Sequence, residues 1–373
     1  MAYSLMNTYV KKDLDSVLLI VKEQMRASNQ IAYRPGIVCA WNGLGNVLIR
    51  KGKQMEGIQY LRKVKNFYLE VSDFPKVAEC LNEIGNGYVY MGKHQEAVEW
   101  YLQSLEYGNL VTEYAKGADI NLAQAYLNLE EYDLATSYAE THRDHNLKTT
   151  NYRNVANAFA VLGQIEMGKG NNERAVYNFE QSYEFCMRDP DPVMLGHTFN
   201  NLGIAHFLNS DLQQSKEAFE KGLEYRIQVN NPLTICDSYN NLSNFYLETA
   251  KYDEAVTYAN KGLELARNNE ILEHQKELLL LLKEIYSLYD IEQLPPVLTE
   301  IEVVNRKLDR KKAEEFTFDE EMKLELENSI ALAQSGFKKP MYETIFIIGG
   351  VILLTIFGYV IFNLNQKRQA TTN

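Results

Sequence analysis

Cysteine is scarce in this sequence. The 373 residues include four, at Cys39, Cys80, Cys186 and Cys236, with no CxxC pair and no histidine at ligand spacing from them. A disulfide framework and a cysteine-based zinc site are therefore not expected. We predict instead that the cysteines are small buried thiols in a reducing compartment.

Positive charge and catalytic motifs are also lacking. The net charge of −12 argues against a nucleic-acid partner that is held through its phosphates. No HExxH, Walker or GxSxG motif is present, and the glycine pairs Gly43-Leu-Gly45 and Gly85-Asn-Gly87 lack the third glycine of a dinucleotide loop. His142 and His145 are expected on the surface rather than at a metal. We predict no enzyme, no cofactor and no metal site.

What the chain does contain is an internal repeat. A small residue, here called the anchor, follows an apolar residue at intervals of 40, 38, 40, 40 and 40 residues, at Gly45, Gly85, Ala123, Gly163, Gly203 and Ser243. Such regular self-similarity indicates stacked structural units.

Three further positions recur with the anchor. A turn residue comes seven positions later, at Gly52, Gly92, Glu130, Gly170, Ser210 and Ala250. A small residue comes twelve positions later, at Gly57, Ala97, Ala135, Ala175, Ser215 and Ala255. Sixteen positions later comes Leu61, Tyr101, Ala139, Phe179, Phe219 or Ala259. The small residues let two antiparallel helices cross closely, and the turn residue lets the chain reverse between them.

This order of residues resembles the tetratricopeptide repeat family, with a period of 40 rather than 34 residues. Similar long repeats occur in kinesin light chains, Rap-type regulators and Bacteroidetes sensor arrays. The resemblance implies an all-α fold, a right-handed superhelix (α-solenoid) of antiparallel helix pairs, whose helices each carry about one extra turn.

The predicted organisation follows from the repeats. Residues 33–267 hold six repeats, preceded by a partial repeat or cap over 1–32, where the chain begins abruptly. Residues 268–313 read as a degenerate seventh repeat and C-terminal cap, and 314–340 as an acidic linker or stalk helix.

The segment 341–363 is predicted to be a transmembrane helix. Its residues Ile345 to Phe362 carry no charge, and a helix of 23 residues, about 35 Å long, is long enough to cross the roughly 30 Å hydrocarbon core of a bilayer. The alternative is a buried core helix. A short polar tail, 364–373, would follow. Glycines within the segment would let two such helices approach, which allows a homo-oligomer.

Amide side chains recur on one predicted helix face. Each anchor has one such position three residues before it and one a residue after it, and amides fill nine of these twelve positions. We call the nine residues the amide ladder: Asn42, Asn46, Asn82, Asn86, Gln124, Gln164, Asn200, Asn240 and Asn244. The two positions are four apart and share a face. In the resembling family this face lines a concave groove, so the resemblance implies that the amides clasp a peptide backbone, to which they can both donate and accept.

Two other interpretations of the ladder stay open. The amides could bond between neighbouring helices, or simply be tolerated at a wet surface. If they do form a groove, Arg50, Tyr90, Asn128 and Glu248 would flank it, and their mixed character predicts no simple charge preference.

Two functions are therefore considered. The first is a membrane-anchored scaffold that binds a protein or peptide segment in its groove, laid out like a tail-anchored protein with its repeats in the cytoplasm. The second is the sensory half of a Bacteroidetes-type signalling receptor that lacks its kinase or helix-turn-helix output domain, with its repeats in the periplasm. The predicted partners are a peptide or protein and, through 341–363, the lipid bilayer.

Overall fold

The computed structural model describes residues 14–31, 33–110 and 117–311. Within these ranges the fold is all-α, and fourteen α-helices follow one another. In chain order they are α1 Leu14–Gln30, α2 Arg34–Arg50, α3 Gln54–Glu70, α4 Phe74–Tyr90, α5 His94–Asn109, α6 Ala118–Asn128, α7 Tyr132–Lys148, α8 Tyr152–Gly168, α9 Asn172–Cys186, α10 Pro192–Leu208, α11 Leu212–Val229, α12 Pro232–Glu248, α13 Tyr252–Asn268 and α14 Leu272–Tyr289. A 3₁₀ turn, Ile291–Gln293, and a last helix over 294–311 complete the described chain.

The helices alternate between two roles in the six repeats. The first helices, α2, α4, α6, α8, α10 and α12, carry the anchors, and the second helices, α3, α5, α7, α9, α11 and α13, pack against them. The first helices contain 17 residues except for α6, and the second helices contain 15 to 18. These lengths accommodate the period of 40 residues.

Each helix pair reverses at the predicted turn residue. All six of these residues have a left-handed backbone, with φ between 56° and 88°. The fifth residue after the turn residue begins hydrogen bonding within the second helix, as in Ala135 N–H to Glu131 O at 3.0 Å. Three of the six are glycines, which adopt this conformation without strain, whereas Glu130, Ser210 and Ala250 adopt it at a cost.

The anchors must be small because a side chain of the second helix packs directly against them where the two helices cross. A Cβ built on Gly163 would lie 2.6 Å from the ring of Phe179, and one on Gly203 would lie 2.5 Å from the ring of Phe219. Both aromatic residues are the ones found sixteen positions after their anchor. Where the anchor is alanine, as at Ala123, the residue sixteen positions later is also small. The size of one residue thus sets the size that its partner can have.

The core is distributed along the chain rather than gathered at one centre. Buried clusters form between successive helices, for example Ala175, Phe179, Leu202 and Ala218 across α9, α10 and α11. Neighbouring repeats therefore supply one another's core, as in a solenoid.

Both ends of the repeat array are covered within the described chain. At the N-terminal end, Val17, Val21 and Met25 of α1 pack on α2. At the C-terminal end, Val297 and Val304 of the last helix pack on α14, with the two prolines at 295 and 296 in the first helical turn, where a missing N–H costs little.

The third repeat departs from the others. Its first helix, α6, has only 11 residues and begins after Gly117, whose φ is 90°. The same repeat follows the one interval of 38 rather than 40 residues. The residues 111–116 before it are outside the described chain.

No helix among residues 14–31, 33–110 and 117–311 is long and apolar enough to cross a bilayer. The predicted transmembrane segment 341–363 lies outside the described residues, as do the predicted linker 314–340 and tail 364–373.

Candidate functional site

The candidate site is the face of the first helices that carries the amide ladder. Eight of the nine ladder residues are half-buried, and Asn244 is exposed. The interrupting residue Ile120 is buried. Half-burial is what a groove wall requires, because the side chain is held by the fold yet its polar end still reaches solvent.

A cavity of about 420 Å³ opens on this face between α2 and α4. Three ladder residues, Asn42, Asn46 and Asn82, line it. The rest of its wall is formed by Cys39, Tyr68, Lys76, Glu79, Cys80 and Glu83. We call this the larger cavity.

A second cavity, of about 270 Å³, lies one helical turn further along the same two helices. Asn46, Asn86, Arg50 and Tyr90 line it, together with Ile49, Glu83 and Val89. We call this the smaller cavity. Arg50 and Tyr90, which were predicted to flank the groove, thus stand beside the ladder residues, and Asn46 and Glu83 line both cavities.

The two ladder residues of α2 are available to a ligand. Within the described residues, neither Asn42 nor Asn46 makes a side-chain hydrogen bond, and neither amide is shut off from solvent. Each therefore presents a donor and an acceptor to the larger cavity.

The ladder residues of α4 are partly engaged. The Asn121 amide donates to Asn82 Oδ1 at 3.0 Å and to Asn86 Oδ1 at 3.3 Å, and the Tyr101 hydroxyl donates to Asn86 Oδ1 at 2.7 Å. The carboxamide oxygens of Asn82 and Asn86 are thereby taken up by the protein. The amino group of Asn86 donates to Glu83 Oε2 at 3.4 Å, and that of Asn82 makes no hydrogen bond within the described residues.

The fifth and sixth repeats show the same engagement. The Asn241 amide donates to Asn200 Oδ1, and the Asn244 amide donates to Asn240 Oδ1 at 2.9 Å. At these positions the ladder bonds within and between neighbouring helices, which is one of the interpretations left open by the sequence.

The remaining predicted residues lie on the same face but away from the two cavities. Gln124 is half-buried, and Asn128, four residues further along α6, is exposed. Gln164 is half-buried, and its Oε1 is enclosed without a hydrogen-bond partner.

Sequence reasoning missed the charged residues of the cavity walls. Glu79 and Glu83 lie four residues apart and so share one helix face, and Glu79 also lies three residues before Asn82; that spacing was the available signal. Lys76 and Glu79 form an ion pair within the wall. Burial raises the pKa of the Glu83 carboxyl, whereas the hydrogen bond from Asn86 and the positive charge of Arg50 oppose that rise.

One histidine was wrongly expected at the surface. His142 is buried, and its Nδ1 lies 2.8 Å from Asp119 Oδ1. It occupies the face of α7 that packs on α6, which a position near a helix end did not reveal. Among the described residues, no group of three or more His, Cys, Asp or Glu could hold a metal ion.

The cysteines are free thiols. Three are buried and Cys39 is half-buried. Burial raises the pKa of Cys80 to about 12, and that of Cys186 and Cys236 to about 11 each.

Comparison with known proteins gives one family. The sequence model of the tetratricopeptide repeat matches residues 36–107 and 195–268. A curated relative, BBSome complex member BBS4 from Bos taurus, is 22% identical over 197 residues, which are 52% of this chain and 34% of that protein. RNA polymerase II-associated protein 3 from Xenopus tropicalis is 24% identical over 203 residues, 51% of this chain and 28% of that protein. The chain thus spans about a third of the length of the curated relatives it matches.

Solved structures share the fold. The apo form of the quorum sensor NprR from B. thuringiensis matches with a TM-score of 0.52 and 17% identity, covering 87% of this chain and 98% of that one. A signal transduction ATPase with a tetratricopeptide repeat sensor from Pyrococcus horikoshii matches with a TM-score of 0.56 and 13% identity, covering 82% and 49%. At these identities the likeness concerns the fold alone.

Proposed function

We propose that this chain, which carries tetratricopeptide repeats over residues 36–107 and 195–268, is a non-enzymatic scaffold that holds an extended segment of a partner protein against its first helices. The observation that carries the proposal is the pair of unengaged amides, Asn42 and Asn46, on the wall of the larger cavity. We place the start of the bound segment there.

Carboxamides suit this task because an extended peptide has unpaired N–H and C=O groups on its backbone. Each Asn side chain can donate to a carbonyl and accept from an N–H, whatever the peptide's own side chains are. The amino groups of Asn82 and Asn200, whose oxygens are engaged by neighbouring helices, would add donors further along the groove. Polar walls of this kind favour a backbone ligand over an apolar one.

We further propose that the segment 341–363 tethers this scaffold to a membrane, with the repeats in the cytoplasm. The support is the uncharged stretch from Ile345 to Phe362. Protease treatment of intact cells tests it, because cytoplasmic repeats would survive until the membrane is permeabilised. Cleavage of the repeats in intact cells would place them on the other side.

The sensory alternative proposes that the same groove detects a ligand on behalf of a separate output domain. Two proteins that share the fold are described as a quorum sensor and as a sensor repeat, which is the reason to retain it. A neighbouring reading frame that encodes a kinase or helix-turn-helix domain would favour this alternative over a stand-alone scaffold.

Peptide selection tests the groove directly. The full chain, in detergent, is presented with a library of random nine-residue peptides, and enriched sequences are measured for affinity. The variant Asn42→Ala/Asn46→Ala should weaken binding about tenfold or more, since each lost hydrogen bond costs about 1 kcal/mol. The matched control is Asn66→Ala, an exposed asparagine on the second helix of the same repeat.

Cys39 offers an independent readout, because it lines the larger cavity and is the least buried of the four thiols. A bound peptide should slow its alkylation. Failure to enrich any peptide, or equal affinity for the double variant and for Asn66→Ala, would contradict the proposed function.

A further inference from the structure

The residue two positions before the anchor bridges neighbouring repeats in two places. In the third repeat it is Asn121, which donates to Asn82 of the second repeat. In the sixth repeat it is Asn241, which donates to Asn200 of the fifth. In both cases an asparagine amide links two adjacent first helices. Its hydrogen bond goes to a ladder residue of the preceding repeat, the one that lies three residues before that repeat's anchor. We call this the bridge position.

The bridge position of the second repeat carries no amide, although the ladder residue before it is an asparagine, as in those two cases. It holds Glu83, and the corresponding ladder residue of the first repeat is Asn42. A carboxylate has no N–H to donate, and no hydrogen bond joins Glu83 and Asn42 in the described chain. The junction between α2 and α4 is also where the two cavities open, and Glu83 lines both of them.

Glu83 forms no ion pair within the described residues, and the charge of Arg50 offsets only part of the effect of its burial. Its side chain is half-buried, and its one hydrogen bond within the described residues comes from Asn86 Nδ2 at a long 3.4 Å. Lys76, on the wall of the larger cavity, is ion-paired with Glu79. Arg50 faces the smaller cavity and forms no ion pair with Glu83.

A carboxylate in this setting is costly unless something compensates it. Partial burial removes water from the charge, and the raised pKa of Glu83 reports that penalty. An asparagine at the same position would satisfy the fold, as Asn121 and Asn241 do. The charge is therefore unexplained by packing and suited to an incoming cation.

We propose, resting on the proposed function, that Glu83 determines the specificity of the groove by receiving a lysine or arginine side chain of the bound peptide in the larger cavity. Asn42 and Asn46 accept further hydrogen bonds from the same cationic group. The smaller cavity is the poorer place for it, because Arg50 balances the charge of Glu83 there, whereas in the larger cavity two carboxylates, Glu79 and Glu83, face the one cation Lys76. The net charge of −12 favours the approach of such a peptide.

The test is a cycle of two peptides and three proteins. One peptide enriched on the unmodified chain is synthesised with its basic residue and with norleucine in its place. The unmodified chain should bind the norleucine peptide about tenfold more weakly, as expected for a hydrogen bond to a charged group. Glu83→Gln should bind both peptides equally. Glu99→Gln, which alters an exposed carboxylate on the second helix of the same repeat, away from both cavities, should keep the tenfold preference.

A second variant guards against misfolding of the first. Glu83→Asn installs the residue that bridges neighbouring repeats at Asn121 and Asn241, so it should fold and lose the preference for the basic peptide. Equal binding of the two peptides by the unmodified chain, enrichment of acidic peptides, or a preference that survives in Glu83→Gln and Glu83→Asn would overturn the inference. If the unmodified chain enriches no peptide at all, the proposed function fails instead, and the two failures are thereby distinguished.

Discussion

The contact between an anchor glycine and the ring across the helix crossing makes a quantitative prediction about Gly163 and Phe179. In Gly163→Ala the new Cβ would lie 2.6 Å from the ring, and Phe179 is fully buried, so the ring or the helices must move. Such overpacking costs about 1–3 kcal/mol. Alanine gains about 1 kcal/mol in helix propensity. We expect a net loss of about 1 kcal/mol.

The ring's removal should reverse the sign of that effect. Phe179→Ala alone should cost about 3–5 kcal/mol through the cavity that it leaves. In that background Gly163→Ala meets no ring, so only the propensity gain of about 1 kcal/mol remains. The coupling between the two substitutions should then be about 2 kcal/mol. The double variant reproduces the pair Ala123 and Ala139 that the third repeat carries naturally.

Hydrogen exchange is the suitable assay for this pair. A solenoid does not unfold in one cooperative transition, so the protection of amides in α8 and α9 reports the local free energy better than a global midpoint does. If Gly163→Ala destabilises equally in both backgrounds, or stabilises the unmodified chain, the packing argument is refuted.

Two further predictions concern other repeats. NMR titration should give His274 a pKa above the ordinary value of 6.5, because its hydrogen bond to Asp237 favours the charged form; the stability that this adds is lost as the pH rises through the raised pKa. The pKa of His197 should lie below 6.5, because burial and a nearby arginine disfavour its charged form, so stability is lost as the pH falls. Asp237→Asn should lower the pKa of His274, and an unchanged value would contradict the assignment. Ala250→Gly should raise stability by about 1 kcal/mol, since the φ of Ala250 is 56°; a loss in α12 and α13 protection would contradict this.

The positions of the turns and helix crossings within each repeat could be predicted from the sequence because they depend on local steric rules. The turn residue at Gly52, and at its five equivalents, was predicted to reverse the chain, and the left-handed backbone confirms it. The anchor at Gly163 was predicted to permit a close helix crossing, and Phe179 stands there. The all-α solenoid is likewise confirmed, and the predicted resemblance is supported by the tetratricopeptide repeat model that matches residues 36–107 and 195–268.

Which of the ladder amides form hydrogen bonds within the protein could not be predicted in the same way. Asn42 and Asn82 occupy equivalent positions, yet the first is unengaged and the second accepts from Asn121. That difference depends on which residue the next repeat places beside them, and thus on two positions about 40 residues apart. The groove's chemistry is therefore a property of junctions between repeats rather than of any one repeat.

The burial of His142 has a similar origin. Its partner Asp119 lies on the preceding helix, and the pair is enclosed where α6 and α7 meet. A histidine near a helix end looks exposed when only its own helix is considered. Contact with a neighbouring helix decides otherwise.

Photo-crosslinking tests most directly whether the first helices form the binding surface. A peptide selected on the full chain is synthesised with a photoreactive residue, irradiated in the complex, and the adducts are mapped by mass spectrometry. We expect the crosslinks to fall on α2 and α4, around the larger cavity, and to disappear in Asn42→Ala/Asn46→Ala. Crosslinks on the second helices other than at Tyr68, which lines the larger cavity, or an unchanged pattern in that variant, would contradict a groove built on these amides.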